Sequence, residues 1–392
     1  MRTERTYGVR WARIGTAACF LLTGFVSASW ASRVPAIKGG LDLGDGRFAI
    51  ALLGLEAGAV LGLQLGGLVV PRTGSRLALT LSLVAFSGAL LLPALAPGLP
   101  LLAAGLFAFA ALNSVADVAM NAQGVAVQRL VGRPVLSGLH AMHSMGGVLG
   151  AGAGALAARL GYAPGAQFLA CAAAAALAAI AAWPLLLPSR VDAEGKASAD
   201  GAGGLRRWFG GWTAPIVLLG ALAFCFALGE GAGLNWSAVY VADSLGETEA
   251  LGAIGLGVFL GAVTLGRLGG DRLVSRFGPV WVFRVGALVA GLGFGGALLL
   301  DTPIAGLVGL GLLGAGIANA LPLAIAAGGN SPDQTPATAA ARVSTLGYLG
   351  SFVGPVLVGG LASVSSLPLA LGAPALLVLA TVFGARAVRR AG

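Results

Sequence analysis

The chain has 392 residues, of which 57% are hydrophobic and only 10% charged, whereas a soluble domain carries about 25% charged residues around one apolar core. That excludes a soluble globular protein. A bilayer crossing takes roughly 20 apolar residues per helix, so twelve crossings use most of the chain and leave short loops with no sizeable soluble domain.

Uncharged stretches place the spans in chain order. The first, 11–35, has basic flanks as a signal peptide would, but it is too long and too studded with polar residues, so it reads as a retained span. A second follows at 48–70. The uncharged run 77–116 is broken by Pro93, Pro97 and Pro100 and gives two spans, 77–95 and 99–127. Then come 137–158, 163–187, 213–241, 250–270, 279–300, 303–328, 337–361 and 364–385. The expected architecture is an all-α polytopic membrane protein. A six-helix bundle over 1–187 and another over 213–392 flank a polar, Gly-rich cytoplasmic linker, 188–212.

Cytoplasmic loops are enriched in Lys and Arg near span ends. Twenty of the 24 basic residues fall at the termini and in loops after even-numbered spans, and the other four are Arg33, Lys38, Arg47 and Arg159. Both termini are therefore expected inside. The same collars account for the net charge of +9 without a nucleic-acid partner, because they lie beside anionic headgroups. The excess of Arg over Lys and the richness in Ala, Gly and Leu suggest a bacterial source and its plasma membrane. Cys19, Cys171 and Cys225 fall inside spans, where a thiol packs rather than ligates or pairs. No metal is expected: His140-Ala-Met-His143 lacks both the glutamate and the spacing of a zinc protease.

Comparing the halves at an offset of 200 residues reveals a repeat. Gly66, Leu68, Arg72, Ser75 and Arg76 answer to Gly266, Leu268, Arg272, Ser275 and Arg276. Ser144, Gly147, Leu149, Gly150 and Gly154 answer to Ser344, Gly347, Leu349, Gly350 and Gly354. Two pseudo-symmetric six-helix halves explain both sets.

With twelve spans, inside termini, a central cytoplasmic loop and the repeated loop motif, the sequence resembles the major facilitator superfamily over nearly its whole length. That resemblance implies parallel halves, a solute site near the midplane between them, and alternating access. The superfamily's loop between its second and third spans usually reads Gly-x-x-x-Asp-Arg-x-Gly-Arg-Arg. Here Gly67, Arg72, Gly74 and Arg76 match while Pro71 takes the acidic position, and the second copy keeps the acid as Asp271, followed by Arg272 and Arg276. The cytoplasmic charge relay is thus expected in one half and compromised in the other. More narrowly, 27–38, 116–129 and 233–240 look like the YbjJ-type inner-membrane branch. A looser similarity to the fucose permease group rests on Asp117 and Asn121.

Ionisable residues at bilayer depth are expensive and mark a pathway by default. Asp117 forms with Asn113 and Asn121 an i, i+4, i+8 stripe on one helix face. It has two readings, a solute or proton site and a structural hydrogen bond between helices. Glu230 lies among Gly229, Gly231 and Gly233, where small residues permit close approach or unwinding. Glu56 reads as a buried partner for a base, with Arg33 a candidate mate. His140 and His143 open the fifth span as a proton relay or, more simply, as structural histidines. Arg342 would hold an anionic solute or anchor an interface. Trp30, Asn235, Trp236 and Tyr240 cluster at outer span ends. The interfacial belt suits Trp30 and the cavity suits Asn235.

The 65 glycines also generate false signals. Gly291-x-Gly293-x-x-Gly296 and Gly309-x-Gly311-x-x-Gly314 match a dinucleotide fingerprint, but no strand precedes either, so they read as packing faces and no cofactor is expected. Gly147, Gly150, Gly154, Gly350, Gly354 and Pro355 read as a hinge on which the fifth and eleventh helices rock. The expected function is a monomeric secondary transporter coupled to protons, working on a small polar, sugar-like solute. An exporter of amphipathic compounds is the alternative, and a sensor on a transporter fold comes after it. No nucleotide-hydrolysis or hydrolase motif points to an enzyme.

Overall fold

The computed structural model describes residues 2–132, 135–188, 212–330 and 336–391, and every regular element among them is helical. The predicted linker therefore lies almost wholly outside the described residues, together with Arg133, Arg190, Lys196, Arg206 and Arg207. The first-half helices are α1 (Arg2–Ala31), α2 (Val34–Gly40), α3 (Asp45–Thr73), α4 (Ser75–Ala89), α5 (Leu92–Leu95), α6 (Leu99–Val131), α7 (Leu136–Arg159) and α8 (Pro164–Ala182). The later ones are α9 (Ala214–Val239), α10 (Glu249–Phe277), α11 (Pro279–Leu298), α12 (Pro303–Ile317), α13 (Ala320–Gly329), α14 (Pro336–Ala362) and α15 (Leu367–Ala380).

Eleven helical stretches among the described residues are long and apolar enough to cross a membrane. Helix α7, with 24 residues, occupies the predicted fifth span. Helices suit this composition because each backbone N–H and C=O is satisfied within the segment that carries it, with no water needed. Proline stands in the first turn of α6, α8, α9, α11, α12 and α15, where its missing N–H costs nothing. Thr248 and Thr302 cap α10 and α12 by accepting from Leu251 N and Ala305 N. Large apolar side chains face outward throughout, Leu81, Leu265 and Ile304 among them. Against water such a surface would be a liability; against lipid it is the expected one.

The tenth span was expected to be continuous over 303–328, and the structure breaks it at Ala318–Asn319 into α12 and α13. Pro322 is the cause. It offers no N–H to the carbonyl four residues back, at Ala318, and its ring crowds that carbonyl. The freed turn is tied down from outside: Asn319 Nδ2 donates to Gly266 O of α10 at 3.0 Å.

The chain forms two compact units, Met1–Leu43 with Ile50–Ala202, and Gly44–Ala49 with Gly203–Gly392. Inside each, the same helix pairs meet: α1 packs on α7 as α9 does on α14, α4 on α6 as α11 on α12, and α4 on α8 as α11 on α15. The repeat read from the sequence is thus also a repeat of packing. Glycine sets the closest of these contacts. A Cβ on Gly146 or Gly150 would strike the α1 backbone at Leu21 or Phe25, and one on Gly350 or Gly354 would strike the α9 backbone at Phe224 or Leu228. Gly154 meets Ser32, and Gly147 lies where a Cβ on Gly24 would reach its amide.

Gly74 (φ 83°) and Gly278 (φ 79°) are the single-residue turns that join α3 to α4 and α10 to α11. Left-handed φ at a tight helix–helix turn is a place that glycine fills without strain. These turn residues stand 204 positions apart, not 200, so the turn places Arg72 opposite Arg276.

Candidate functional site

Asp117 is the nineteenth of the 33 residues of α6 and thus sits near its middle. Asn121, one turn on, donates Nδ2 to Asp117 Oδ1 at 3.2 Å and to Asp117 O at 2.9 Å. No base pairs with Asp117 among the described residues. The stripe of Asn113, Asp117 and Asn121 is half-buried while the flanking Ala116, Ala119 and Met120 are buried. Two neighbours bracket it. Met120, on one side, receives Thr23 Oγ1 of α1 at 3.5 Å. On the other, Ala103, Phe107 and Ala111 carry the backbone against which Gly54, Gly58 and Gly62 of α3 press.

Thr23 also ties in the histidine. Its hydroxyl lies 2.8 Å from Phe20 O and 3.0 Å from His143 Nδ1 of α7. The one hydroxyl proton of Thr23 is shared among Phe20 O, Met120 Sδ and His143 Nδ1. Asp117, Asn121, Thr23, Met120 and His143 thus draw three helices together within a few turns. His140, by contrast, is exposed and meets Phe20 edge-on, with ring centroids 5.1 Å apart.

Glu56 does not join this group. The α3–α6 ladder sets Gly54 beside Ala103 and Gly58 beside Phe107, so Glu56 is level with residue 105. That is about 18 Å along the helix from Asp117 at 1.5 Å per residue. Nor is Arg33 its mate: Arg33, buried, donates to Tyr162 O at 2.9 Å and to Gln167 Oε1 at 3.4 Å. Glu56 makes no ion pair among the described residues. Trp30, expected in the interfacial belt, is instead 2% exposed and packs on Phe168.

In the second unit Glu230 of α9 forms an ion pair with Arg267 of α10, Nη2 to Oε1 at 2.8 Å, each side chain about a quarter exposed. The basic-residue count of the sequence includes Arg267 in the cytoplasmic collar. As the nineteenth of 29 residues it lies well inside its span. Side chains lean toward a helix N-terminus, so on these oppositely directed helices the two lean toward each other and meet. The adjoining Gly266 O takes the Asn319 amide, and the pocket of Gly270 is filled by Asn319 Oδ1. Seventh, eighth and tenth spans thus share one polar junction. Sequence reading missed Arg267 and Asn319. The signal for Arg267 was present in its eleven-residue distance from the turn at Gly278, and Pro322 was the signal for the break beside Asn319.

Asn235 lies elsewhere. Five residues turn it about 140° around α9 from Glu230, and its amide donates back to Gly231 O at 3.0 Å. The glycines around Glu230 serve close approach, not unwinding: a Cβ on Gly231 would meet the Ser351 backbone and one on Gly233 the ring of Phe259, while α9 stays helical throughout. Pro355 O accepts Trp236 Nε1 at 3.0 Å. Arg342, buried, stacks over Trp212 at 5.4 Å.

The loop motifs are occupied differently in the two copies. Arg76 donates Nε to Trp183 O at 3.0 Å and lies over that ring at 4.4 Å, while Arg72 returns to Leu68 O at 2.6 Å. Arg276 stacks on Phe277 at 5.3 Å. Asp271 is exposed and makes no ion pair among the described residues, so the charge relay expected of the second copy is not assembled here. Gly67 has open space beside it.

Helical repeats, membrane-length spans and paired loop motifs leave the family to be fixed by comparison. The profile of the Major Facilitator Superfamily matches residues 14–355. The chain belongs to that superfamily. An uncharacterized MFS-type transporter of Yersinia pestis is 33% identical over 383 residues, covering 96% of each chain. Among solved structures, a mutant of the nucleoside transporter NupG aligns at a TM-score of 0.78 with 14% identity, covering 96% of this chain and 99% of that one. A D-xylose-proton symporter aligns at 0.71 with 16% identity, covering 96% and 97%. At such identities these two similarities speak for the fold. The protein is a multi-pass membrane transporter with a small-molecule substrate.

Proposed function

We propose that this superfamily member is a secondary active transporter coupled to protons, moving a small polar, sugar-like solute across the plasma membrane by alternating access. Asp117 and Glu230 are the carboxyls that serve proton and solute. The observation that carries the reading is Asp117 itself: a carboxyl halfway along a membrane-length helix, on a polar stripe, with an amide as its partner and no base among the described residues. Such a group is costly at that depth, and a structural contact alone would not call for it. The Glu230–Arg267 pair adds a second ionisable centre inside the other unit. The fold shared with a D-xylose-proton symporter supports the same mechanism by analogy. Both termini are cytoplasmic in this reading, the working unit is one chain, and the chain acts as a transporter and not as an enzyme.

The test begins with purified protein and a solute panel read by thermal shift, since a ligand stabilises the state it binds. Hits are then followed into proteoliposomes. An imposed proton gradient should accelerate their flux, and Asp117→Asn should abolish that response. Flux indifferent to the gradient and unchanged in Asp117→Asn overturns proton coupling through this residue.

A further inference from the structure

We propose that the solute is a cation, a polar molecule carrying a protonated amine, and that Asp117 is the seat of its ammonium group. This rests on the transport reading above and narrows it. The two units treat their central carboxyls differently. Glu230 has a permanent counter-ion in Arg267 at 2.8 Å. Asp117 has Asn121 Nδ2 at 3.2 Å and no cation among the described residues. An ionised carboxylate at that depth needs its charge matched, and when the protein does not supply the match, whatever binds there must.

The surroundings say what else that ligand carries. Asn113 and Asn121, half-buried on the same stripe as Asp117, are neutral amides suited to hydroxyl or ether oxygens. One negative centre among neutral hydrogen-bonding groups matches an amino-polyol or amino-sugar better than a neutral sugar, which would leave the carboxylate unmatched. It also matches better than an acid, which would face like charge. An anionic solute fares no better in the second unit, where it would have to displace Glu230 from Arg267.

Charge-matched probes on two scaffolds test this: glucose, glucosamine and gluconate, and glycerol, 2-amino-1,3-propanediol and glycerate. Each is added to the full-length protein in detergent at neutral pH. At least one amine should raise the melting temperature by about 2 °C or more in wild type but not in Asp117→Asn, while its neutral and acidic counterparts should not. So that the outcome does not depend on the folding of Asp117→Asn, labelling of wild-type Asp117 by a hydrophobic carbodiimide is read in parallel by mass spectrometry, and the amine should suppress it at least several-fold. The proposal is overturned if neutral or acidic probes stabilise as well as the amines, if no amine stabilises, if the amine shift survives Asp117→Asn, or if the amine gives no protection. A neutral probe that binds through Asp117 removes the cationic class while leaving the transport reading intact, which the proton-gradient assay judges separately.

Discussion

Glu230 and Arg267 hold each other inside their spans at 2.8 Å, and the balance of costs at that contact can be measured. Removing one partner strands the other's charge; removing both replaces a pair with two neutral groups. Since each side chain keeps about a quarter of its surface open, each single truncation should cost about 1–3 kcal/mol, below the range for fully buried pairs. Glu230→Gln and Arg267→Gln should therefore each lower the melting temperature in detergent, and the double variant should recover part of the loss. Strict additivity in that cycle would mean that the pair contributes nothing as a pair. A second residue to probe is Gln123, fully buried, which donates to Ser75 Oγ at 2.8 Å and Leu187 O at 2.9 Å and accepts from Leu187 N at 3.2 Å. It ties the end of the last first-half span to α6. Gln123→Ala leaves these buried groups unmet and should cost about 1–3 kcal/mol, read as an earlier unfolding transition; a variant that melts with wild type would show that water replaces the amide without loss.

At the scale of elements, the glycine contacts divide into those with a backbone behind them and those facing open space. A Cβ on Gly350 would meet Phe224 Cα at 2.9 Å, while one on Gly152 would meet nothing within 4 Å. Gly350→Ala must push α9 and α14 apart and should destabilise by about 1–3 kcal/mol, whereas Gly152→Ala should be neutral or stabilising by up to about 1 kcal/mol through helix propensity. Thermal unfolding of the two variants side by side checks this, and equal shifts would contradict the packing role. The sequence made these glycines visible as a repeated pattern, but not which of them touch, because a run dense in glycine offers more small faces than there are neighbours. Spans were legible because lipid-length apolar runs have few alternatives. The break at Ala318–Asn319 was less so: a proline late in an apolar run is compatible with a continuous kinked helix, and the Asn319 amide that stabilises the break finds its carbonyl on another span. Asp117 could be singled out because charge is rare at that depth. Its distance from Glu56 could not, since depth depends on the register between α3 and α6, which the Gly54, Gly58 and Gly62 contacts set in three dimensions.

For the whole molecule, the asymmetry of basic residues makes a claim about direction across the membrane. Moving Arg267 from the collar into its span leaves nineteen basic residues on the side of the termini against Arg33, Lys38, Arg47 and Arg159 on the other. The correction does not change the sign of the bias, and residues within short loops next to span ends are the ones that set orientation. Three of the four minority residues are also not typical loop charges: Arg33 and Lys38 are buried, and Arg33 is held by Tyr162 O and Gln167, while Arg159 closes the last turn of α7. The orientation with both termini in the cytoplasm therefore predicts that green fluorescent protein fused to the C-terminus is fluorescent in cells. Alkaline phosphatase should be active when fused after Asp301, in the turn between α11 and α12, and inactive when fused after Gly278, in the turn between α10 and α11. The reverse pattern would invert the molecule, and with it the side from which proton and solute first reach Asp117.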